Sequence, residues 1–192
     1  LTEPLVGIDK SLPVLRDYNH CLYIKEDAGK LLVGIFEPNA KPAFQDTNRV
    51  PDDFSFGEFP EDFNHFEPYL LHAIKRIPIL KKTGIRKFFS GPESFTPDTN
   101  YLLGEAPEVK NFFVCCGFNS IGLVSAGGAG RVTAEWMMNG GVNEDLFSLD
   151  IRRFEKFHSE IKYITERVTE SLGNLYAMHW PYKQHYTSRN QK

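Results

Sequence analysis

The stretch Asn111-Phe112-Phe113-Val114-Cys115-Cys116-Gly117-Phe118-Asn119-Ser120-Ile121-Gly122-Leu123 decides how this chain folds. The run from Asn111 to Cys116 reads as a strand buried on both faces. A glycine-bounded loop follows, and then a helix over about residues 123–139, closed by Gly140-Gly141. A helix N-terminus presents unpaired N–H groups and a positive dipole end, which suits an electron-rich ligand edge. Gly117 and Gly122 permit unusual dihedrals, while Gly127, Gly128 and Gly130 would let the helix approach a sheet or ligand closely. Gly117 and Gly122 stand five apart, so this is not the G-x-G-x-x-G dinucleotide fingerprint. These residues alone leave two readings open, a helix tucked tightly on a sheet and a ligand loop.

Working outward, Gly91-Pro92-Glu93-Ser94-Phe95-Thr96-Pro97-Asp98 reads as a rigid turn. Its prolines fix φ, and Thr96 and Asp98 can satisfy local backbone groups. A strand is expected at Ile85–Ser90. Before it, Phe63, Phe66, Leu70, Ala73, Ile74 and Ile77 recur at spacings of three and four, predicting a helix over 61–77 with a kink or restart at Pro68. Residues 37–60 form a Pro- and Asp-rich excursion. Cys21–Lys25 and Leu31–Phe36 alternate like hairpin strands around a 3–5-residue loop ending in Gly29. The first 25 residues read as extended, with Leu5–Ile8 a short apolar piece at an edge. Downstream, a charged aromatic segment begins at Asp150, a helix is expected over about 159–172, and the end is polar and basic. A boundary is placed near residue 145.

The 192 residues are 41% hydrophobic, 24% charged and 14% aromatic, with a net charge of -3, which excludes a disordered chain. That balance gives no electrostatic reason to expect nucleic acid, and no window reaches the roughly 18–20 apolar residues of a membrane span. Leu1-Thr2-Glu3-Pro4 contains no initiator Met or signal peptide, so the chain is expected to be a piece of a longer one. Three cysteines, Cys21, Cys115 and Cys116, make a poor disulfide framework and point to an intracellular setting. Cys115 and Cys116 are expected to be small buried hydrophobes.

His20, His65, His72, His158, His179 and His185 are scattered, and only His65 and His72 could share a helix face; no metal site is expected. No nucleophile elbow or P-loop occurs. The arginines and lysines, including the pair Arg152-Arg153, read as solvated surface. Cys21, Tyr23 and Lys25 share one strand face, so Tyr23 either meets a ligand or covers the core with its hydroxyl at the edge.

Several stretches, in order, resemble the FAD-dependent amine dehydrogenases that act on sarcosine and dimethylglycine. They are Leu12-Pro13-Val14-Leu15-Arg16-Asp17, Leu22-Tyr23-Ile24, Gly34-Ile35-Phe36-Glu37, Gly91–Asp98 with Gly104-Glu105-Ala106-Pro107, Gly117-Phe118-Asn119-Ser120 with Ala126-Gly127-Gly128, and Asp150-Ile151-Arg152-Arg153-Phe154. The resemblance spans nearly the whole chain. It implies an α+β fold: a mainly antiparallel substrate-domain sheet with packed helices, plus a strand–glycine loop–helix return to a FAD domain whose Rossmann half is missing. Residues 1–105 would be the substrate domain, 106–144 the flavin-contacting segment, and 145–192 the start of a linker towards an absent folate-binding domain. Flavin contacts are implied for Phe118, Asn119, Ser120, Ile121, Gly122 and Leu123, largely through backbone N–H groups, with Pro97 and Asp98 close by. Tyr23 would face substrate.

The implied activity is oxidation of an N-methyl amine by hydride transfer to FAD, by a chain inactive without its N-terminal half. The implied partners are a small amine substrate, that missing half and an electron-carrier flavoprotein, with folate served by the downstream domain. The implied setting is cytoplasm or mitochondrial matrix. The same family resembles a non-catalytic regulatory subunit of pyruvate dehydrogenase phosphatase, in which the fold would be an interaction module. A stand-alone domain that uses the sheet for another ligand is a third reading.

Overall fold

The computed structural model describes residues 1–181. The polar, basic end and His185 lie outside the described residues. The chain is a mixed α+β structure whose two small sheets are antiparallel. It divides into two compact units. Among the described residues, one holds Leu1–Ala43, Arg49–Pro92 and residues 173–181; the other holds Phe44–Asn48 and Glu93–Leu172.

In the first unit, β1 (Leu15–Asp17), β2 (Leu22–Asp27) and β3 (Lys30–Ile35) form a three-stranded sheet in that order. Pairing of β2 with β3 runs to Asp27 opposite Lys30, so the hairpin turn has two residues rather than the expected three to five. Ala28 and Gly29 both take positive φ, 50° and 82°, the form that matches the strands' twist. Alternation then sorts the side chains. Leu22, Ile24 and Leu31 are buried on one face with Ala73 and Leu80, and half-buried Leu15, Val33, Ile35, Tyr69, Ile74 and Ile77 complete that core.

The helix that supplies much of this packing, α1 (Phe63–Arg76), is capped by the Asp62 carboxylate, which accepts from the His65 N–H at 3.0 Å. It runs through Pro68 without a restart. Pro68 lies early enough that its missing N–H removes a single intrahelical bond near the start. The apolar stripe is present, but Phe63 and Phe66 turn to Phe88, with ring centroids 6.2 and 5.4 Å away. The strand expected at Ile85–Ser90 does not form. That segment makes only isolated bridges, Thr2 to Ile85 and Phe59 to Ser90. Leu5–Ile8 is likewise not a strand.

In the second unit, β4 (Leu102–Glu105) pairs with β5 (Phe113–Cys116). The long helix α2 (Gly122–Asn139) follows, ending on the left-handed Gly140, and α3 (Ile161–Asn174) comes later. The core is Leu103, Ala129 and Val132, with Tyr101, Phe118, Val142, Leu146 and Leu149 against it. Two expectations fail here. Strand β5 is not buried on both faces, and Cys115 and Cys116 are exposed, because β5 is an edge strand of a two-stranded ladder. The close helix-to-sheet approach also comes from elsewhere. A Cβ at Gly127, Gly128 or Gly130 would meet nothing within 4 Å, whereas one on Gly104 in β4 would lie 2.8 Å from the Trp136 ring of α2.

No helix among the described residues is long and apolar enough to cross a membrane. Gly104 also has φ of 116°, so both sterics and backbone oppose a side chain there. Gly104→Ala is expected to cost about 2–3 kcal/mol by overpacking and backbone strain, read as a lowered midpoint in denaturant unfolding at unchanged m-value.

Candidate functional site

The glycine loop after β5 is built around one buried amide. Asn119, 1% exposed, accepts the Thr96 N–H on Oδ1 at 2.8 Å. Its Nδ2 donates to the Gly117 carbonyl at 2.7 Å and to Thr96 Oγ1 at 3.2 Å. The rigid turn at Gly91–Asp98 and the loop at Gly117–Ser120 are therefore pinned to each other. Ser120 adds a second tie, donating from Oγ to Glu93 Oε1 at 2.9 Å. Burial pushes the Glu93 carboxyl up, against the pull of that hydrogen bond. Phe118 stacks on Tyr101 with centroids 4.8 Å apart and anchors the loop in the core.

Consecutive positive φ values at Asn119 (49°) and Ser120 (64°) turn the chain sharply into α2. Asparagine tolerates that region; serine there stores backbone strain, a feature concentrated at functional sites. The helix N-cap, Ile121, has no side-chain cap. The first helical bond is Ser125 N–H to the Ile121 carbonyl, so the N–H groups of Gly122, Leu123 and Val124 point out of the helix start without intrahelical acceptors. Leu123 and Val124 are fully or nearly fully exposed beside them. Donors at a positive dipole end flanked by apolar side chains suit the polar edge of a flat aromatic ring system.

Pro97 and Asp98 hold this arrangement from behind. The Pro97 carbonyl accepts from Arg167 Nε at 3.0 Å and Ser171 Oγ at 3.2 Å, both on α3 and both buried. Asp98 takes Arg153 Nε at 2.6 Å on one oxygen and Nη2 at 3.1 Å on the other. Arg153, its side chain only 9% exposed, also donates to the carbonyls of Asn100, Leu149 and Asp150. Arg153 and Arg167 are thus interior ties rather than solvated surface, and neither the pair Arg152-Arg153 nor the helical spacing of Arg167 signals this. Partial burial would raise the Asp98 carboxyl. Hydrogen bonds from Arg153, the Asn100 N–H and Thr96, with the Arg153 charge, outweigh it and hold the group below the usual range.

The first unit carries its own candidate face, opposite its core. Tyr23 stands there in register with Arg16 on β1 and Gly34 on β3. Its ring lies over Gly34, where a Cβ would fall 2.1–2.4 Å from ring atoms, so only glycine permits this placement. A row of rings continues from it: Tyr23 to Phe36 at 5.6 Å, Phe36 to Tyr176 at 5.0 Å, and Tyr176 to Tyr18 at 5.5 Å. Arg16 covers Tyr176 and Tyr18, its guanidinium carbon 4.3 and 5.0 Å from their centroids. Tyr18 and Tyr176 escape a reading of the sequence because one sits in a short 3-10 turn and the other 140 or more residues away (on the order of the whole chain).

The histidines gather no metal set among the described residues. His65 Nε2 faces Glu37 at 3.2 Å, while His72 stacks on His20 at 4.2 Å. His20 in turn bonds Asp17, which also takes Arg76 at 2.8 and 3.1 Å.

Because folding depresses Asp98, its ion pair stabilises fully above the unfolded value of about 3.9 and is lost as pH falls through the lower folded value. Asp98→Asn is expected to cost about 2–3 kcal/mol at pH 7 by stranding buried Arg153. Thermal unfolding of both proteins from pH 7 to pH 3 checks this: the gap should narrow below about pH 4.

Known proteins are similar to this sequence. The family described as FAD dependent oxidoreductase matches residues 1–136, and the FAD dependent oxidoreductase central domain matches residues 139–192. The chain is 41% identical over 184 residues to 4-methylaminobutanoate oxidase (formaldehyde-forming) of Paenarthrobacter nicotinovorans, covering 96% of this chain and 22% of that protein. It is 39% identical over 193 residues to mouse mitochondrial sarcosine dehydrogenase, covering 100% of this chain and 20% of the relative. It is 35% identical over 190 residues to the mouse mitochondrial pyruvate dehydrogenase phosphatase regulatory subunit, covering 98% and 21%. The chain therefore spans about a fifth of the length of these relatives. With a family match across most of its length and these relatives, the chain belongs to the FAD-dependent amine oxidoreductases, of the sarcosine dehydrogenase-like kind.

Proposed function

We propose that this chain supplies the substrate-binding sheet and the flavin-edge loop of a flavoenzyme that oxidises an N-methyl amine such as sarcosine or dimethylglycine. The observation that carries the reading is the uncapped start of α2, held open by the Asn119 bracket. FAD, when bound, supplies the hydride acceptor. The chain's own residues position it. The N–H groups of Gly122 and Leu123 donate to the polar edge of the ring, with the Phe118–Ile121 backbone shaping the approach. Leu123 and Val124 exclude water from that edge. Pro97 and Asp98 act through the loop as positioning residues, since their polar atoms are engaged by α3 and Arg153. Tyr23 faces the amine from the outer face of the sheet.

The division of labour follows the same reading: residues 1–105 serve substrate, 106–144 serve flavin, and 145–192 lead towards a further domain. The 192 residues hold no G-x-G-x-x-G, so the chain by itself is inactive on this proposal.

The test is an absorbance titration with FAD and an assay of sarcosine oxidation, on the intact protein and on the 192-residue chain. Flavin retention and amine oxidation are expected only in the intact protein. Asn119→Ala should lower its flavin affinity about 10-fold or more, since a buried hydrogen-bonded bracket is worth about 1–3 kcal/mol. Stoichiometric FAD and turnover in the short chain would overturn the inactivity. An intact protein that neither holds flavin nor oxidises amines would favour a non-catalytic role of the kind named for the phosphatase regulatory subunit.

A further inference from the structure

We infer that the end of α1 and the stretch after it form a docking surface for an anionic lipid bilayer, on which the protein settles without crossing it. Residues 68–92 carry six cations, Lys75, Arg76, Lys81, Lys82, Arg86 and Lys87, and no Asp or Glu. The whole chain has 25 acids against 22 such cations, so this stretch runs against the balance of the protein. The structure sorts the six into two groups. Arg76 holds Asp17 at 2.8 Å, Arg86 faces Glu3 at 3.8 Å, and Lys87 holds Glu58 at 2.6 Å. Lys75, Lys81 and Lys82 are exposed and make no ion pair among the described residues. Six cations against three carboxylates leave three positive charges in one place, on a chain whose net charge is -3.

The unpaired lysines stand among apolar side chains that point away from the core. Helix α1 packs Tyr69, Ala73, Ile74 and Ile77 beneath the sheet and leaves Leu71 and Lys75 exposed. The 3-10 turn that follows, Pro78–Lys82, buries Leu80 and exposes Ile79, which is flanked in sequence by Lys75 and by Lys81-Lys82. Ile85 and Phe89 are exposed further on, with the Lys87 ammonium 5.3 Å from the Phe89 centroid. The helix dipole accounts for cations in the last turn of α1. It does not account for bare apolar side chains beside them. One exposed apolar residue is ordinary on a protein surface; four interleaved with uncompensated lysines mark an interaction site.

The kind of cation left over decides the kind of anion. Arginine forks suit a discrete carboxylate or phosphate, and both arginines here already face carboxylates, Asp17 and Glu3. What remains is lysine, a point charge on a flexible stem, which suits the diffuse field of many anionic headgroups. Its methylenes can lie along apolar neighbours while the ammonium stays at headgroup level. Ile79 and Leu71 then enter the headgroup boundary, adding apolar burial to the electrostatic attraction. Within this unit, α1 lies beneath the sheet and Tyr23 stands on the opposite sheet face, so docking through the outer side of α1 leaves the Tyr23 face open.

The experiment is co-sedimentation of the intact protein with vesicles of phosphatidylcholine alone and of phosphatidylcholine with about one third phosphatidylserine. The assay needs neither flavin nor amine, so its outcome is separate from that of the proposed oxidation. Binding is expected to the anionic vesicles only, and about 1 M NaCl, where the screening length is about 3 Å, should release it. The triple variant Lys75→Gln/Lys81→Gln/Lys82→Gln should bind about 100-fold more weakly, from roughly fivefold per lysine near an anionic surface. Ile79→Ser should weaken binding about fivefold. A control with the same charge change elsewhere, Lys10→Gln/Lys110→Gln/Lys162→Gln, should bind like the wild type. If the triple variant fails to fold, Lys81→Gln and Lys82→Gln stand in singly. No sedimentation with the anionic vesicles, or equal sedimentation of the wild type and the lysine variants, overturns the assignment. Soluble poly-glutamate that binds as tightly as the vesicles, with no loss on Ile79→Ser, assigns the surface to an acidic polypeptide and overturns the bilayer.

Discussion

A single buried amide sets the geometry on which the second unit depends. Asn119 has one carbonyl oxygen and one NH₂, and both are used, on Thr96 and on the Gly117 carbonyl. The loop that leads into α2 has no sheet partner, so its path has to be specified by side chains. A buried amide is costly unless satisfied, and that cost makes the arrangement selective: any other loop path would strand the Asn119 polar atoms in the core. The positive φ at Asn119 and Ser120 is tolerable for the same reason. The bracket over-determines a turn that the local backbone would not choose, and the reward is a helix start with its donors pointed outward.

Behind that bracket lies a chain of supports. Thr96 is fixed by Asn119, Pro97 by Arg167 and Ser171, and Asp98 by Arg153. Three successive residues are thus held from three directions, by the glycine loop, by α3 and by the segment after Leu149. Such a strip cannot drift without breaking several charge-assisted or buried hydrogen bonds at once. Rigid support beneath a short, strained turn is how a loop can hold a binding geometry as well as a regular element does.

Local periodicity carries the elements that were legible in the sequence. The stripe from Phe63 to Ile77, the alternation of Leu22 and Ile24 against Tyr23, and the Gly140 stop of α2 all depend on spacing within one element, and all are present. The failures share a cause as well. An apolar run such as Phe112–Cys116 cannot say whether partners will flank it on both sides, and among the described residues β5 has one neighbour, leaving both cysteines exposed. Phe88 and Phe89 suggest a strand by composition, but among the described residues no neighbouring strand forms a ladder with the segment. The roles of Arg153 and Arg167 were hidden too, since an arginine reads as surface until a carboxylate or carbonyl from 50 or more residues away (roughly a quarter of the chain) is brought to it.

The two candidate faces solve the same physical problem in opposite ways. At the α2 start, the groups on offer are main-chain donors, flanked by the exposed apolar side chains of Leu123 and Val124. On the sheet, β2 and β3 spend their backbone groups on each other, and what the outer face presents is side chains: the Tyr23 ring laid over Gly34, and Arg16 seated on Tyr18 and Tyr176. Main-chain donors suit a ligand that is always the same, because they change little with sequence. Side chains suit a ligand that differs among relatives, because one substitution alters it. Under the proposed function the loop would serve the cofactor and the sheet the substrate; the relatives share a FAD-dependent family and are named for different amines. Glycine marks the sheet's adjustable point. Any residue larger than Gly34 would lift Tyr23 from its place and reshape the face without touching the core beneath.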